Sequence, residues 1–163
     1  MATKTNAVRL VQQAGIPCRE AFYEFDEQDL RGVHAAQAIG MPEEQVFKTL
    51  VARGEKTGIN VFCIPVCCEL DLKKAAKAAG DKNMELVAVN CGWYKVQYNG
   101  LTGYIRGGCS PVGMKKHYPT FIDETCTLWD EIAVSAGARG HQMIVLPQPL
   151  AELVGAELTD IIV

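Results

Sequence analysis

Val46-Phe47-Lys48-Thr49-Leu50-Val51-Ala52 and Ile59-Asn60-Val61-Phe62-Cys63-Ile64-Pro65, parted by Glu55-Lys56-Thr57-Gly58, read as a β-hairpin. β-Branched and aromatic residues fill both runs, and the polar residues with glycine between them suit a turn. Side chains alternate along a strand, so Phe47 and Thr49 share one face and Lys48 shares the other with Val46 and Leu50. If that second face is the core side, Lys48 points inward, where an ammonium needs an anion or a wet cleft. The pattern alone favours the plainer reading, a solvated lysine guarding a sheet edge.

Outward from the hairpin, helices and strands alternate with tight turns. Residues 6–14 predict an amphipathic helix with Ala7, Leu10, Val11 and Ala14 on its apolar side, capped by Thr5 or Thr3 and ended by Gly15 and Pro17. Residues 19–25 predict a strand, and residues 33–39 a second helix closed by Gly40. Leu70–Gly80 is the clearest helix, with Asp71 as N-cap and Gly80 as stop. Residues 84–89 and 120–123 read as strands, and Asn90–Tyr98 fits either a strand or a short helix. Leu128–Glu131 reads as a helical turn. Residues 132–137 and 142–146 pair across Ala138-Arg139-Gly140-His141, and residues 149–154 predict a final helix. This mixture argues for an α+β domain around one mixed sheet or partial barrel.

A second stretch carries the candidate chemistry: Thr102-Gly103-Tyr104-Ile105-Arg106-Gly107-Gly108-Cys109-Ser110-Pro111-Val112-Gly113-Met114-Lys115-Lys116. Tyr104 and Ile105 suggest a strand that breaks into a glycine-rich loop. Glycines allow close approach of backbone to a ligand, and the N–H groups of Gly107, Gly108, Cys109 and Ser110 are available to an oxygen. A tight turn between strands explains the same composition. The spacing Gly108-x-x-x-x-Gly113 imitates a nucleotide P-loop, but Met114 stands where that loop needs lysine and Pro111 removes an N–H, so a triphosphate site is excluded.

The 163 residues suit one domain over 1–163 with a substantial core, and 48% apolar with 21% charged residues is ordinary for a soluble protein. A net charge of −3 argues against broad nucleic-acid binding, DNA included, while leaving room for a local basic patch; Lys73, Lys74, Lys77, Lys115, Lys116 and His117 are its candidates. No run approaches a membrane span, and the first residues lack a secretory core, which points to the cytoplasm. Seven cysteines without a Cys-x-x-Cys pair read as buried reduced thiols rather than a metal site, and no cofactor is implied. His34, His117 and His141 are too scattered to support a hydrolytic triad. Cys109, beside Arg106 and Lys115, is either a nucleophile or, on the simpler reading, a loop-filling thiol.

Four stretches then occur in a telling order: Val46–Leu50, Leu70–Lys77, Thr102–Gly113 and Ser135-Ala136-Gly137-Ala138-Arg139-Gly140. Together they resemble the YbaK/EbsC family of aminoacyl-tRNA deacylases, relatives of the editing domain of bacterial prolyl-tRNA synthetase. The lysine strand combined with Gly-Gly-x-Ser-Pro-x-Gly is the specific part. The resemblance implies a barrel-like central mixed sheet flanked by helices. It implies catalytic roles for Lys48, Gly107, Gly108 and Ser110, and a substrate-binding wall of Tyr23, Thr49, Cys109, Pro111, Gly113, Arg139 and Gly140. Two positions depart from it: Cys109 replaces a usual aliphatic residue, and Gln142 stands where some members have aspartate. The implied activity is removal of cysteine from Cys-tRNA(Pro), and by extension Cys-tRNA(Cys), through attack of the substrate's own thiol. The implied partners are aminoacyl-tRNA and prolyl-tRNA synthetase, without metal or cofactor. Competing readings are an Ala-tRNA(Pro) deacylase, a non-catalytic module for RNA ends or nucleotides, and a Cys109-dependent hydrolase.

Overall fold

The computed structural model describes residues 4–87 and 100–163, so Asn90–Tyr98 lies outside the described residues. The elements run α1 (Asn6–Gln13), β1 (Cys18–Phe22), α2 (Gly32–Ile39), β2 (Phe47–Gly54), β3 (Gly58–Pro65), α3 (Leu72–Ala79) and β4 (Met84–Leu86), then β5 (Thr120–Asp123), β6 (Ile132–Ala138), β7 (His141–Val145), α4 (Pro147–Val154) and β8 (Glu157–Thr159). Thr5 caps α1 by accepting from Val8 N–H, and Asp71 caps α3 by accepting from Lys73 and Lys74 N–H. Gly40, Gly80 and Gly155 end α2, α3 and α4 in left-handed conformation, which only glycine adopts cheaply.

The α+β class holds, but the single barrel-like sheet does not. Among the described residues the strands form two sheets, of order β1-β7-β6 and β4-β2-β3-β5-β8, and neither closes on itself. The hairpin β2–β3 is antiparallel, as its sequence predicts, with Lys48 opposite Ile64. β3 then pairs in parallel with β5, and β5 with β8. Such parallel pairings have no local turn to announce them. An isolated parallel bridge between Val46 and Ala133 joins the sheets.

Two main cores explain the burial. One packs Val8 and Val11 of α1 and Leu150 of α4 onto Phe47, Ile122, Ile132 and Met143. The other packs Ala75 and Ala76 of α3 onto Ala52, Phe62, Ile64 and Phe121. β3 is covered on both faces and is buried along nearly its whole length, which is why it reads as a continuous apolar run. Leu128–Glu131 is not the helical turn: that turn is a 3-10 segment at Glu124–Leu128, started by Asp123 accepting from Thr125 N–H and Oγ1–H. Nor is Tyr104–Ile105 a strand; the chain there is irregular, with Thr102 Oγ1 accepting from Tyr104 N–H.

Candidate active site

Beyond the Val46–Ala133 bridge the two sheets part, and a cleft of about 750 Å³ opens between them. Lys48 and Ser135, each two residues past the bridge on its own strand, both line it. Lys48 pairs with Ile64 of β3 on one side and is half-buried on the cleft wall, so it faces a wet cleft rather than open solvent. Tyr23 at the end of β1, the N-terminal turn of α2, the turn after β3 and the glycine-rich loop complete the walls.

The structure brings Tyr23, Lys48, Thr49, Gly107 and Cys109 into this one cleft. Arg139 and Gly140 line a small recess beside it, shared with Tyr23 and Gly107. Pro111 and Gly113 do not join them; they line a separate pocket of about 180 Å³ with Lys116 and His117. Gly108 and Ser110 reach neither wall. Ser110 is fully buried, and its Oγ accepts from Val112 N–H at 3.2 Å, a bond that fixes the loop. Gly108 donates its N–H to Ile105 O at 3.0 Å, which removes one of the four anticipated oxyanion donors.

Glycine is required in this loop for two separate reasons. Gly107 has φ +83°, the left-handed region. Gly108 needs no such angle, but a Cβ on it would lie 3.1 Å from both Ala138 C and Arg139 N. The loop is therefore pressed backbone to backbone against the β6–β7 turn. Arg139 Nε donates to Arg106 O at 2.8 Å and fastens the same contact. Tyr104 Oη donates to Val112 O on the loop's far side. At Gly140 (φ +74°) a Cβ would lie 2.5 Å from Tyr23 O, while Tyr23 N–H donates to Gly140 O at 2.9 Å. Tyr23, the loop and the β6–β7 turn form one braced unit.

The remaining lining was less legible in the sequence. Arg31, Glu43, Cys67, Cys68, Glu69, Arg106, Ser135 and Gln142 complete the cleft. Arg106 carried a signal within the glycine-rich stretch, Ser135 within the quoted Ser135–Gly140 stretch, and Gln142 as a departure from the family pattern, whereas the others carried none. Arg31 is held by Asp29 at 2.7 Å, and the guanidinium keeps that carboxyl at about 2. Burial, with Cys67 beside it, pushes the Cys68 thiol up to about 11, against a smaller pull from the Lys48 ammonium. Thr49 Oγ1 and Cys63 Sγ share a hydrogen bond at 3.7 Å. Burial pushes Cys63 up to about 12 and Cys126 up to about 11, so both are inert thiols at neutral pH. Cys67 is exposed, which departs from the expectation that the cysteines are buried. Lys74 of the proposed basic surface is engaged elsewhere, donating to Asp160 at 2.9 Å and to Ile162 O at 2.8 Å. Among the described residues no helix is long and apolar enough to cross a membrane.

Comparison with known proteins follows the same lines. Residues 31–153 match the model of the aminoacyl-tRNA editing domain. A protein of Enterococcus faecalis, described as a candidate Cys-tRNA(Pro)/Cys-tRNA(Cys) deacylase EbsC, is 41% identical over 158 residues, covering 97% of this chain and 93% of that protein. A solved structure of a candidate trans-editing enzyme for prolyl-tRNA synthetase superposes with TM-score 0.77 at 26% identity, covering 99% of each chain. A hypothetical protein, APE2540, superposes with TM-score 0.81 at 20% identity over 96% of this chain and 98% of its own, a likeness of fold alone.

Proposed function

This chain belongs to the aminoacyl-tRNA editing domain family, and from that membership we propose that it is a trans-editing deacylase that clears cysteine from Cys-tRNA(Pro), and from Cys-tRNA(Cys) as a second substrate. The observation that carries the reading is the convergence of Lys48, Tyr23 and Gly107 on one cleft of about 750 Å³. That volume suits a small aminoacyl ester with part of its nucleoside. Lys48 and Arg106 set two cations on the walls beside the Arg31–Asp29 pair, groups that fit a substrate ending in phosphodiester and ester oxygens.

In this reading the substrate supplies its own nucleophile. The cysteine thiol attacks the ester carbonyl, an S–C bond forms, and the C–O bond to ribose breaks. The proton lost from sulfur ends on the ribose oxygen, which leaves as the free tRNA terminus. The product is a four-membered thiolactone, which water opens to free cysteine. Attack within one molecule gains most from positioning, the service a rigid cleft provides. Lys48 holds the phosphate or the reacting end. Gly107 and Cys109, two loop residues on the cleft wall, supply the backbone N–H groups for the developing oxyanion. Gly108 and Ser110 hold the loop's shape, as do Arg139 and Gly140 through their contacts with Arg106 and Tyr23. Serine and alanine lack a thiol, so the chemistry itself rejects them. The setting is the cytoplasm, and prolyl-tRNA synthetase supplies the tRNA context that so small a cleft cannot read.

The test is release of labelled amino acid from Cys-, Ala- and Ser-charged tRNA(Pro) by the protein and by Lys48→Ala. Rapid loss from Cys-tRNA(Pro) alone, abolished in the variant, is the expected result. Cleavage of Ala-tRNA(Pro) instead would remove the substrate thiol from the mechanism. Binding of tRNA without cleavage would leave a recognition module and end the enzyme reading.

A further inference from the structure

Cys67 and Cys68 are adjacent in the chain, and their sulfurs lie 3.8 Å apart, in hydrogen-bond contact. Both follow β3 directly, and both line the cleft. Successive side chains diverge on a strand, so their convergence is the work of the turn that ends β3. Cys68 N–H donates to Pro65 O at 3.0 Å, which folds the chain back on itself. The turn is also tied to the apex of the cleft. Val66 N–H donates to Val46 O at 2.8 Å, and Val46 bridges the two sheets through Ala133. Cys67 is exposed and Cys68 half-buried, whereas Cys63, Cys109 and Cys126 are buried. A small reagent therefore meets the Cys67 sulfur first and finds a second sulfur beside it.

From this we infer that Cys67 and Cys68 are a site of reversible oxidation, closed by hydrogen peroxide into a disulfide between adjacent residues, and that closure disables the cleft. The site stands apart from the deacylase reading; its effect on activity rests on that reading. The Cys67 sulfur attacks peroxide: an S–O bond forms, the O–O bond breaks, and the departing oxygen takes the thiol proton and leaves as water. The Cys68 sulfur then attacks the sulfenic acid: an S–S bond forms, the S–O bond breaks, and a second water carries away the Cys68 proton. The pair gives up two electrons and two protons, and one peroxide becomes two waters. Burial raises the Cys68 thiol to about 11, which makes it a poor first target. As the second sulfur it needs proximity above all, and it is already in contact. Successive Cα atoms are about 3.8 Å apart, under the roughly 4.4–6.8 Å usual for a disulfide, so the closed pair is strained. Strained disulfides are the readily reduced ones, and a low-molecular-weight thiol reopens it. Drawing the sulfurs from 3.8 Å to a bond of about 2 Å twists the turn. The Val66–Val46 bond passes that twist to the start of β2, beside Lys48.

The experiment treats the reduced, desalted protein with a few equivalents of hydrogen peroxide and removes the excess with catalase. Two things are read: a peptide map after alkylation with N-ethylmaleimide, and kcat/KM on Cys-tRNA(Pro). Cys67→Ser and Cys68→Ser are carried alongside, each compared with its own untreated form. The peptide holding Cys67 and Cys68 should escape alkylation and be lighter by two hydrogens than its reduced counterpart, and dithiothreitol should restore both thiols. Treatment should lower kcat/KM of the unaltered protein by about tenfold, recovered on reduction, and that of Cys67→Ser by less than about twofold. Cys68→Ser should stop at a sulfenic acid on Cys67, captured by dimedone. A disulfide to a second chain, a sulfinic acid on Cys67 with Cys68 still free, or oxidation confined to other cysteines overturns the site. A closed pair with unchanged kcat/KM overturns its control of the cleft. If the untreated protein does not cleave Cys-tRNA(Pro), the deacylase reading fails and the control of activity with it, while the peptide map still decides the site.

Discussion

Arg139 Nε donates to the Arg106 carbonyl across 2.8 Å, joining the β6–β7 turn to the glycine-rich loop that borders the cleft. The bond holds a donor-bearing loop at a fixed distance from Lys48. Arg139→Gln should leave the protein folded, because the bond is exposed and such bonds contribute on the order of 1 kcal/mol. It should lower kcat/KM for Cys-tRNA(Pro) by about tenfold through a looser loop. Steady-state kinetics beside a denaturant titration would check both parts.

Gly108→Ala tests the same brace from the other partner. Its Cβ would meet the Ala138–Arg139 peptide at 3.1–3.2 Å, with backbone rather than a movable side chain in the way. The two backbones must separate, at a cost of about 1–3 kcal/mol. Both the unfolding midpoint and deacylation should fall, more steeply than in Arg139→Gln.

Cys109→Ala addresses the enzyme-nucleophile alternative. Cys109 is buried on the cleft wall, where its loss removes packing. If the substrate thiol attacks, activity should fall by less than about tenfold, a packing-scale effect. Complete loss in the variant, with trapping of a cysteinyl thioester on Cys109 of the unaltered protein by mass spectrometry, would transfer the nucleophile to the protein.

Alkylation should separate the thiols by environment. Cys67 is exposed, whereas burial raises Cys63 to about 12 and Cys126 to about 11. Iodoacetamide at pH 8 followed by peptide mapping should find Cys67 modified in the folded protein. Cys63 and Cys126 should react only after denaturation.

Asp81 gives a pH-dependent prediction. Its carboxylate accepts from Thr57 N–H and Oγ1–H and from Lys56 N–H, tying the hairpin turn to the end of α3. These bonds, led by that from Thr57, lower its pKa far below the usual carboxylate value, with partial desolvation opposing them. The folded value is depressed, so the stabilisation is complete above the unfolded pKa near ~4 and is lost as pH falls through the acid range. Asp81→Asn should unfold at lower denaturant than the unaltered protein at pH 7. The gap should shrink steadily as pH is lowered below about 4.

The local parts of this architecture were legible. The α1 stripe, the Asp71 and Gly80 caps, the β2–β3 hairpin and the β6–β7 pairing all follow from spacing and turn chemistry. What escaped was non-local. β8 has three residues and pairs in parallel with β5, leaving no hairpin signature. Tyr104 looked like a strand residue because aromatics favour strands, but its hydroxyl is committed to Val112 O. The site divides in the same way. Lys48 and Gly107 stood out by residue type, whereas Arg31, Glu43 and Glu69 carry no local signal until two sheets and their turns set them around a cleft. Ser110 misled for the converse reason: a serine in a glycine-rich loop resembles a donor to ligand, and here it serves the loop.

The pairing of β1 with β7 sets Cys18 against Val145 and Phe22 against His141, and it has a consequence in time. During synthesis β1 must wait for more than a hundred further residues before its only sheet partner among the described strands, β7, exists. Partners so remote in sequence make for slow folding, because loop closure precedes any reward in contacts. Tyr23, which follows β1 directly, reaches the cleft only once that pairing is made. A nascent chain therefore carries no assembled cleft until β7 has been synthesised and paired with β1.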